Sequence, residues 1–314
     1  MADHQHPPFE LHSQRLGALP IVDAFLARAG VERVLSGYLP PGDRRVVLSA
    51  AAAIGVLVRN LCVAREPLYG LADWAAKFDP ALLGLGAGEA ALLNDDRVGR
   101  ALDQLFDADR GSLLTELMLG VIGEFAVDCS QLHNDSTSIG LHGDYAAADG
   151  RERGGKPTVA AALGHSKDHR PDLKQFVLTL TVSADGAVPL AHRLLDGNVT
   201  DDQTHIQTWD SLVALVGRAD FLYVADSKLA TREQMSHIHA RGGRFLSILP
   251  RSRAEDGQLR EWAQTHAFDF TEAARRPGKR KGVERRLNPA WGTAAAPLVA
   301  GSAAGTVLAG FARS

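Results

Sequence analysis

The spacing of apolar residues in the first part of the chain is helical. From about Leu19 to Asp128, apolar positions recur every three or four residues, which is the period of a helix with one buried face. The stretch 46–63 is almost wholly apolar, but it contains Arg59 and Asn60 and is therefore predicted to be a core helix and not a membrane span. The sequence predicts an all-α N-terminal domain over residues 16–128.

After this domain the pattern changes to the alternation of β-strands. Residues 176–182 alternate in polarity, residues 183–186 form a turn, and Val188 to Leu195 follow as the second arm of a predicted β-hairpin. The later elements are predicted in this order: an amphipathic helix with Ile206, Trp209, Leu212, Val213 and Val216 on one side, a strand over Phe221–Ala225, a helix over Arg232–Arg241 and a strand over Phe245–Leu249.

Strand, hairpin, helix, strand, helix, strand is the element order of a ribonuclease-H-like α/β sheet, in which the first strand lies beside the fourth. The predicted fold class is therefore α/β, with an incomplete ribonuclease-H-like catalytic core over residues 129–250 after the all-α domain. The pattern supports the first strand least, because Asn134 interrupts its apolar run.

Two acids occupy positions that this sheet would bring together. Asp135 lies in the stretch Leu132–Tyr145, on the first strand, and Asp226 follows the fourth strand. Hard cations such as Mg²⁺ prefer carboxylate oxygens and share substrate phosphate oxygens, so the pair predicts a divalent-metal site for phosphate chemistry. Each acid alone has a plainer interpretation: Asp135 as a turn residue at a strand end, and Asp226 as a helix N-cap before Thr231.

Composition limits the kind of partner. The 314 residues carry 34 basic and 37 acidic side chains, a formal net charge of −3, which excludes a globally basic protein that coats nucleic acid. A phosphate backbone therefore needs a local site, and Lys167, Arg170 and Lys174 form a candidate basic edge near the carboxylates. The alternative is a solvated loop. His165 and His169 have the spacing of helical zinc ligands, but the surrounding Gly, Asp and Pro favour a loop.

The two cysteines, Cys62 and Cys129, are too few for a disulfide framework and are interpreted as core thiols in a reducing cytoplasm. Residues 1–20 contain no basic segment followed by an apolar run, so no export signal is predicted. Residues 1–15 are expected to be disordered.

Several motifs occur together after the helical domain: Asp135-Ser-Thr-Ser138, Leu141-His-Gly143, Gly164 through Lys174, Gly197-Asn198 with Thr200 and Asp201, and Val224-Ala-Asp-Ser227. In combination they resemble the DDE transposases of bacterial insertion sequences, and more narrowly the insertion-sequence-four group, in the branch with a helical N-terminal domain of unknown function. The resemblance covers roughly Leu16 to Trp262, and its long central motif is the specific one.

This resemblance implies that Asp135 and Asp226 are the first and second acids of a catalytic triad and ligands of Mg²⁺ or Mn²⁺. It also implies DNA as the partner, both as transposon ends and as target, with a homodimer as a compatible state, no membrane, and a cytoplasmic, nucleoid-associated location. The family's third acid is a Glu in the pattern Tyr, two residues, Arg, three residues, Glu, six residues, Lys. That pattern is not found after Pro250, so the third acid is unknown.

The end of the chain points to a shortened transposase. Residues 251–290 are interpreted as the start of an insertion region, and residues 291–314 as a low-complexity, frame-shifted tail rich in Ala and Gly. A membrane tail anchor over Ala294–Ala312 is a weaker alternative, because Ala and Gly insert poorly. The basic run 275–286 could bind DNA, although charge runs are more often merely solvated.

The sequence thus predicts a transposase of an insertion sequence, with DNA binding and metal-dependent phosphodiester cleavage and strand transfer, truncated and inactive alone. The alternative is a non-catalytic DNA-binding transposase remnant. An aspartyl phosphotransferase with Asp135 as nucleophile is disfavoured, because the commonest motif of that class has a second Asp where this chain has Thr137.

Overall fold

The structure, a computed structural model, divides between Ala126 and Val127 into two compact units. The residues that it describes are 13–41, 47–199, 204–265, 274–277 and 284–287. Most of the predicted disordered N-terminus, Thr200 and Asp201 of the motifs, much of the basic run 275–286 and the whole tail 291–314 lie outside the described residues.

The first unit is built from helices, as the apolar spacing predicts. They are α1 (Leu19–Arg28), α2 (Val31–Tyr38), α3 (Ala50–Val63), α4 (Leu71–Ala75), α5 (Asp95–Asp107) and α6 (Arg110–Phe125), with short 3-10 helices at Leu68–Gly70, Pro80–Leu83 and Glu89–Leu92. Side-chain caps set several of the starts, because each cap satisfies an amide of the first turn that has no partner within the helix. Ser49, Asn94 and Asp109 accept hydrogen bonds from the amides of Ala52, Arg97 and Ser112, respectively.

Helix α3 is the core helix of this unit, as predicted, and it packs against α1, α2, α4 and α5. Its two polar residues are buried but paired. The guanidinium of Arg59 donates to Asp23, to Glu32 at 2.6 Å and to the carbonyl of Gly55 at 3.2 Å. The Asn60 side chain exchanges hydrogen bonds with the backbone of Glu66, at 2.8 and 3.1 Å. Buried polar groups are tolerated when they are bonded in this way.

The second unit contains a mixed sheet with helices. Its strands are β1 (Gln131–Leu141), β2 (Ala162–Leu163), β3 (Lys174–Ser183), β4 (Pro189–Leu195), β5 (Leu222–Val224) and β6 (Arg244–Leu246). Its helices are α7 (His205–Val216), α8 (Arg232–Ala240) and α9 (Ala254–Thr265), and a separate two-stranded sheet pairs β7 (Ala274–Pro277) with β8 (Glu284–Leu287).

The strand order places the first long strand in the middle of the sheet. β1 pairs antiparallel with β3 on one side and parallel with β5 on the other. β4 and the short β2 both pair with the far edge of β3, and β6 pairs parallel with β5. The predicted hairpin and the predicted neighbour relation of the first and fourth strands are therefore confirmed. The sequence analysis did not predict β2, α9, β7 or β8, and it predicted β5 and β6 longer than they are.

The buried face of this sheet is polar. Along β3 the buried side chains are Gln175, Val177, Thr179, Thr181 and Ser183, and the apolar side chains between them are only half-buried or exposed. Helix α7 differs accordingly from the predicted amphipathic pattern. Trp209 and Leu212 are buried as predicted and His205 and Thr208 join them, whereas Ile206, Val213 and Val216 are only half-buried. For His205 the reason is a hydrogen bond across the core to Tyr223. The buried hydroxyl of Thr208 has no hydrogen-bond partner among the described residues.

Two hydrogen bonds join polar side chains of this core. Thr181 donates to the side-chain oxygen of Asn134 at 2.9 Å, which explains how a polar residue can interrupt the first strand without being exposed. His205 Nδ1 and the Tyr223 hydroxyl lie 3.0 Å apart. Of the two cysteines, Cys129 is buried as interpreted, but Cys62 is exposed, so its assignment as a core thiol was wrong. Among the described residues, no helix is long and apolar enough to cross a membrane.

Two motif glycines lie where three stretches of backbone converge. A Cβ added at Gly164 would lie under 3.0 Å from the carbonyl oxygen of Gly197, and one added at Gly197 would lie under 3.0 Å from the carbonyl oxygens of Gln175 and Ala162. The nearest atoms are backbone atoms, which cannot rotate away. The requirement for glycine at both positions is therefore steric. Folding alone accounts for the glycines in two of the motifs that resemble the transposase family.

We expect Gly197→Ala to destabilise the second unit by about 3 kcal/mol, the upper part of the usual range for overpacking, because no side-chain rotation relieves the clash. Gly140→Ala is the matched control. Gly140 lies in β1 of the same unit, and its added Cβ would meet only Leu173 Cδ1 at 3.8 Å. Hydrogen exchange of β3 amides, read by mass spectrometry, should accelerate in the first variant alone. Equal exchange in both variants would contradict the steric explanation.

The side chain of Arg59 is only 2% exposed, whereas those of its partners Asp23 and Glu32 are 35% and 55% exposed. Neutralising both acids by Asp23→Asn with Glu32→Gln leaves a buried charge without a counter-ion, for which we expect a loss of about 3–5 kcal/mol. Arg59→Met should be less harmful, since the acids it leaves behind remain hydrated. Hydrogen-exchange rates of the α3 amides rank the two variants by their loss of stability. A greater loss in Arg59→Met than in the double acid variant would show that the pairing of the buried charge is not decisive.

Candidate functional site

The two predicted acids are aligned by the pairing of β1 with β5. The parallel register joins Gln131 with Leu222, Leu132 with Tyr223, and His133 with Val224. Two further residues along each chain reach Asp135 and Asp226. Neighbouring strands lie about 4.8 Å apart, so the register brings the two acids to the same level of the sheet.

Both acids also line one small cleft, with the other lining residues drawn from β1, β3 and the start of α7: Asn134, Ser136, Thr179, Thr204 and His205. Only the acids among these residues were predicted from the sequence. His205 could have been identified from the sequence, because it is a polar residue on the apolar side of a predicted helix. Its partner across the core, Tyr223, could not be identified without the tertiary structure.

Asp135 lies in the middle of β1 and not at a turn, so the plainer interpretation of this residue was wrong. Its neighbours Asn134 and Ser136 face the covered side of the sheet, and strand alternation therefore turns Asp135 outward. Its side chain is 81% exposed. The amide of Ser136 donates to Asp135 Oδ1 at 2.8 Å, which orients the carboxylate while leaving its other oxygen accessible.

Asp226 lies two residues beyond the end of β5 and is also exposed. Its Oδ1 accepts a hydrogen bond from the amide of Lys228 at 2.9 Å and caps the 3-10 helix Ser227–Leu229. The capping interpretation is thus correct for this short helix, whereas Thr231 caps α8. A carboxylate has two oxygens with several acceptor positions, so capping and metal binding are compatible.

The buried Tyr223 hydroxyl near Asp226 is uncharged. Burial raises the pKa of the Tyr223 hydroxyl, and the nearby charge of Asp226 raises it further. Because both causes act in the same direction, Tyr223 stays protonated at neutral pH and can donate a hydrogen bond. Its partner is His205 Nδ1.

The three predicted basic residues have different surroundings. Lys167 Nζ lies 3.7 Å from Asp135 Oδ1 and donates to the Ser136 hydroxyl at 2.9 Å and to the Ser136 carbonyl. Arg170 instead forms a two-bond ion pair with Asp172, which lowers the pKa of that carboxyl to about 2. Lys174 lies 3.6 Å from Asp144. The structure therefore brings Lys167 to Asp135, while Arg170 and Lys174 are paired with the nearby acids Asp172 and Asp144. Residues 164–169 form a loop, as expected around His165 and His169.

The donor set fits a magnesium-type cation that keeps part of its water. Mg²⁺ is commonly held by one or two carboxylates with several waters and substrate phosphates, and two exposed carboxylates meet that description. Within the described part of the chain, no group of three or more His, Cys, Asp or Glu residues could hold a metal. No described Glu lines the cleft, and Glu255 forms a two-bond ion pair with Arg253.

Comparison with known families identifies only the N-terminal part. Residues 11–119 match a family described as a domain of unknown function, DUF4277. The match lies within the first unit and covers about a third of the chain. No curated protein matches the chain in sequence.

Comparison with solved structures gives distant similarities. The crystal structure of the Mos1 mariner paired end complex with Mn has 11% sequence identity and a TM-score of 0.25, over 72% of this chain and 74% of that chain. The Mos1 transposase paired-end complex with left transposon end has 11% identity and a TM-score of 0.23, over 68% and 62% of the two chains. The Mos1 Strand Transfer Complex has 11% identity and a TM-score of 0.23, over 71% and 66%. These TM-scores are too low to establish a shared fold.

Proposed function

We propose that the chain is a transposase-type DNA-processing protein whose second unit, an incomplete ribonuclease-H-like core, binds a divalent cation through Asp135 and Asp226. The observation that carries the proposal is the parallel register of β1 and β5, which aligns two acids that lie far apart in the sequence. The motifs around both acids supply the reaction class, because they resemble those of DDE transposases of the insertion-sequence-four group.

The cation in this proposal is Mg²⁺ or Mn²⁺, which would activate water and stabilise charge on phosphate oxygens when bound. The chain's own contribution is to orient the carboxylates. The amides of Ser136 and Lys228 each fix one oxygen of an acid, so the acids need little reorganisation to bind a cation. DNA phosphates would approach from the exposed side of Asp135, where Lys167 supplies the nearby positive charge.

The second candidate function is a non-catalytic DNA-binding remnant, in which the helical first unit still recognises transposon ends. The family's pattern for the third acid is not found after Pro250, which favours this candidate, because two carboxylates hold a cation less firmly than three. Both candidates share the DNA partner, and they differ in whether this chain cuts DNA.

We expect residues 1–314 not to nick supercoiled plasmid DNA in Mg²⁺ or Mn²⁺ above the level of the Asp135→Asn variant, because the sequence pattern that carries the family's third ligand is not found after Pro250. Agarose gels that separate supercoiled, nicked and linear forms provide the measurement. Robust nicking that disappears in Asp135→Asn would refute the predicted inactivity while supporting the role of the acid. Equally robust nicking by both proteins would argue against the proposed site.

DNA binding should be retained and should depend steeply on salt, since each neutralised phosphate contributes a slope of about −0.9 to the plot of log affinity against log salt concentration. Fluorescence anisotropy with labelled duplex DNA at several potassium chloride concentrations measures this slope. Asp135→Asn with Asp226→Asn should bind as tightly as the unchanged chain or more tightly, because negative charge is removed near the phosphates. Salt-independent binding, or no binding at all, would count against both candidate functions.

A further inference from the structure

The pairing of β1 leaves a gap beside the proposed cation site. The carbonyl of Ser130 accepts a hydrogen bond from Leu222, on the β5 side, and the carbonyl of Gln131 accepts one from Ala184, which follows β3. Carbonyl directions alternate along a strand, so the even-numbered carbonyls of β1 point towards β5. β5 ends at Val224, whereas β1 continues to Leu141. The carbonyl of Ser136 therefore points into the space beyond the end of β5.

Lys167 fills this space. Its ammonium group donates to the Ser136 carbonyl and, at 2.9 Å, to the Ser136 hydroxyl, and it lies 3.7 Å from Asp135 Oδ1. Its own amide donates to the hydroxyl of Ser138 at 3.0 Å, which ties the loop to β1 at a second point. The ammonium group is thus held next to Asp135, on the side of the strand from which Asp226 emerges.

We propose that Lys167 is the internal counter-ion of the Asp135 and Asp226 site, and that a divalent cation binds there by displacing its ammonium group. This inference rests on the proposed function. A divalent ion on Asp135 would lie close to the positive charge of Lys167, and the two cations repel each other. Displacement releases the ammonium group from β1 and makes it available to a DNA phosphate, so that cation binding prepares the loop for DNA.

The other two residues of the predicted basic edge, Arg170 and Lys174, do not fit this role. Arg170 is bound by Asp172 through two hydrogen bonds, and Lys174 lies against Asp144. Lys174 is nevertheless a good control, because its side chain is 36% exposed and that of Lys167 is 44% exposed. Lys167→Met and Lys174→Met each remove one positive charge, the first from the loop and the second from the start of β3, but only the first removes it from the side of Asp135.

The test is the affinity of the full chain for Mn²⁺ alone, without DNA, measured from the electron paramagnetic resonance signal of the free ion. We expect Lys167→Met to lower the dissociation constant by about three- to tenfold at moderate ionic strength, from the Coulomb repulsion that it removes, reduced by screening. Lys174→Met should leave the constant unchanged, and Asp135→Asn and Asp226→Asn should each weaken binding. Circular dichroism confirms that each variant is folded.

The outcomes separate the inference from the proposed function. If the acid variants lose Mn²⁺ but Lys167→Met binds no more tightly than the unchanged chain, the counter-ion role is wrong and the metal site stands. If both lysine variants bind Mn²⁺ more tightly to the same extent, the effect comes from net charge alone, and the specific role of Lys167 is wrong. If both acid variants bind Mn²⁺ like the unchanged chain, or no variant binds it, the metal site and the counter-ion role are both wrong.

A second readout follows the lysine itself. Acetylation by a reactive ester, located by mass spectrometry, reports how accessible the Lys167 amine is. Mn²⁺ should increase acetylation of Lys167 in the unchanged chain and should have no effect in Asp135→Asn, while acetylation of Lys174 stays constant in both. A decrease at Lys167 on adding Mn²⁺ would show that the ammonium group stays in place, and it would overturn the displacement.

Discussion

The parallel pairing of β1 with β5 is the constraint on which the candidate site depends. It is short, with three residue pairs, yet it joins parts of the chain separated by the whole hairpin and α7. Because side chains alternate along a strand, a slip of one residue would turn Asp226 to the opposite face and take it away from Asp135. The early end of β5 is equally important, since it opens the space that Lys167 fills.

Hydrogen bonds in the polar core of the second unit tie β1 to β3 and β5 to α7, on the two sides of this pairing. Asn134 is bonded to Thr181, His205 to Tyr223, and Gln175 to the carbonyl of Gly197 at 2.8 Å. Apolar contacts alone tolerate small shifts, but a buried polar group that loses its partner is destabilised by about 1–3 kcal/mol. We infer that these bonds specify the alignment of the strands more sharply than an apolar core of the same size would. The first unit differs, since its core is mostly apolar and its buried charge is confined to the Arg59 network.

Charge near the site is arranged in local pairs. The loop that carries Lys167 also contains the Arg170 and Asp172 pair, and its end is held by Lys174 beside Asp144. Exposed ion pairs of this kind contribute little to folding stability. They instead limit phosphate binding, because a paired cation must leave its carboxylate before it can bind a phosphate. The basic edge predicted at Lys167, Arg170 and Lys174 is thus neutralised by local pairs, and only Lys167 is paired with an acid of the candidate site, Asp135.

The sequence by itself determined the helical first unit, the hairpin, the neighbour relation of the first and fourth strands, and therefore the placement of Asp135 and Asp226 at neighbouring positions of the sheet. These follow from local periodicity and from topological rules, which a single chain displays directly. It could not determine which side of β3 and α7 is buried, because the buried polar side chains form their bonds between segments far apart in sequence. For the same reason, the steric need for Gly164 and Gly197 and the position of Lys167 against Asp135 were decided only by the tertiary structure, which sets which backbones cross and where a strand ends.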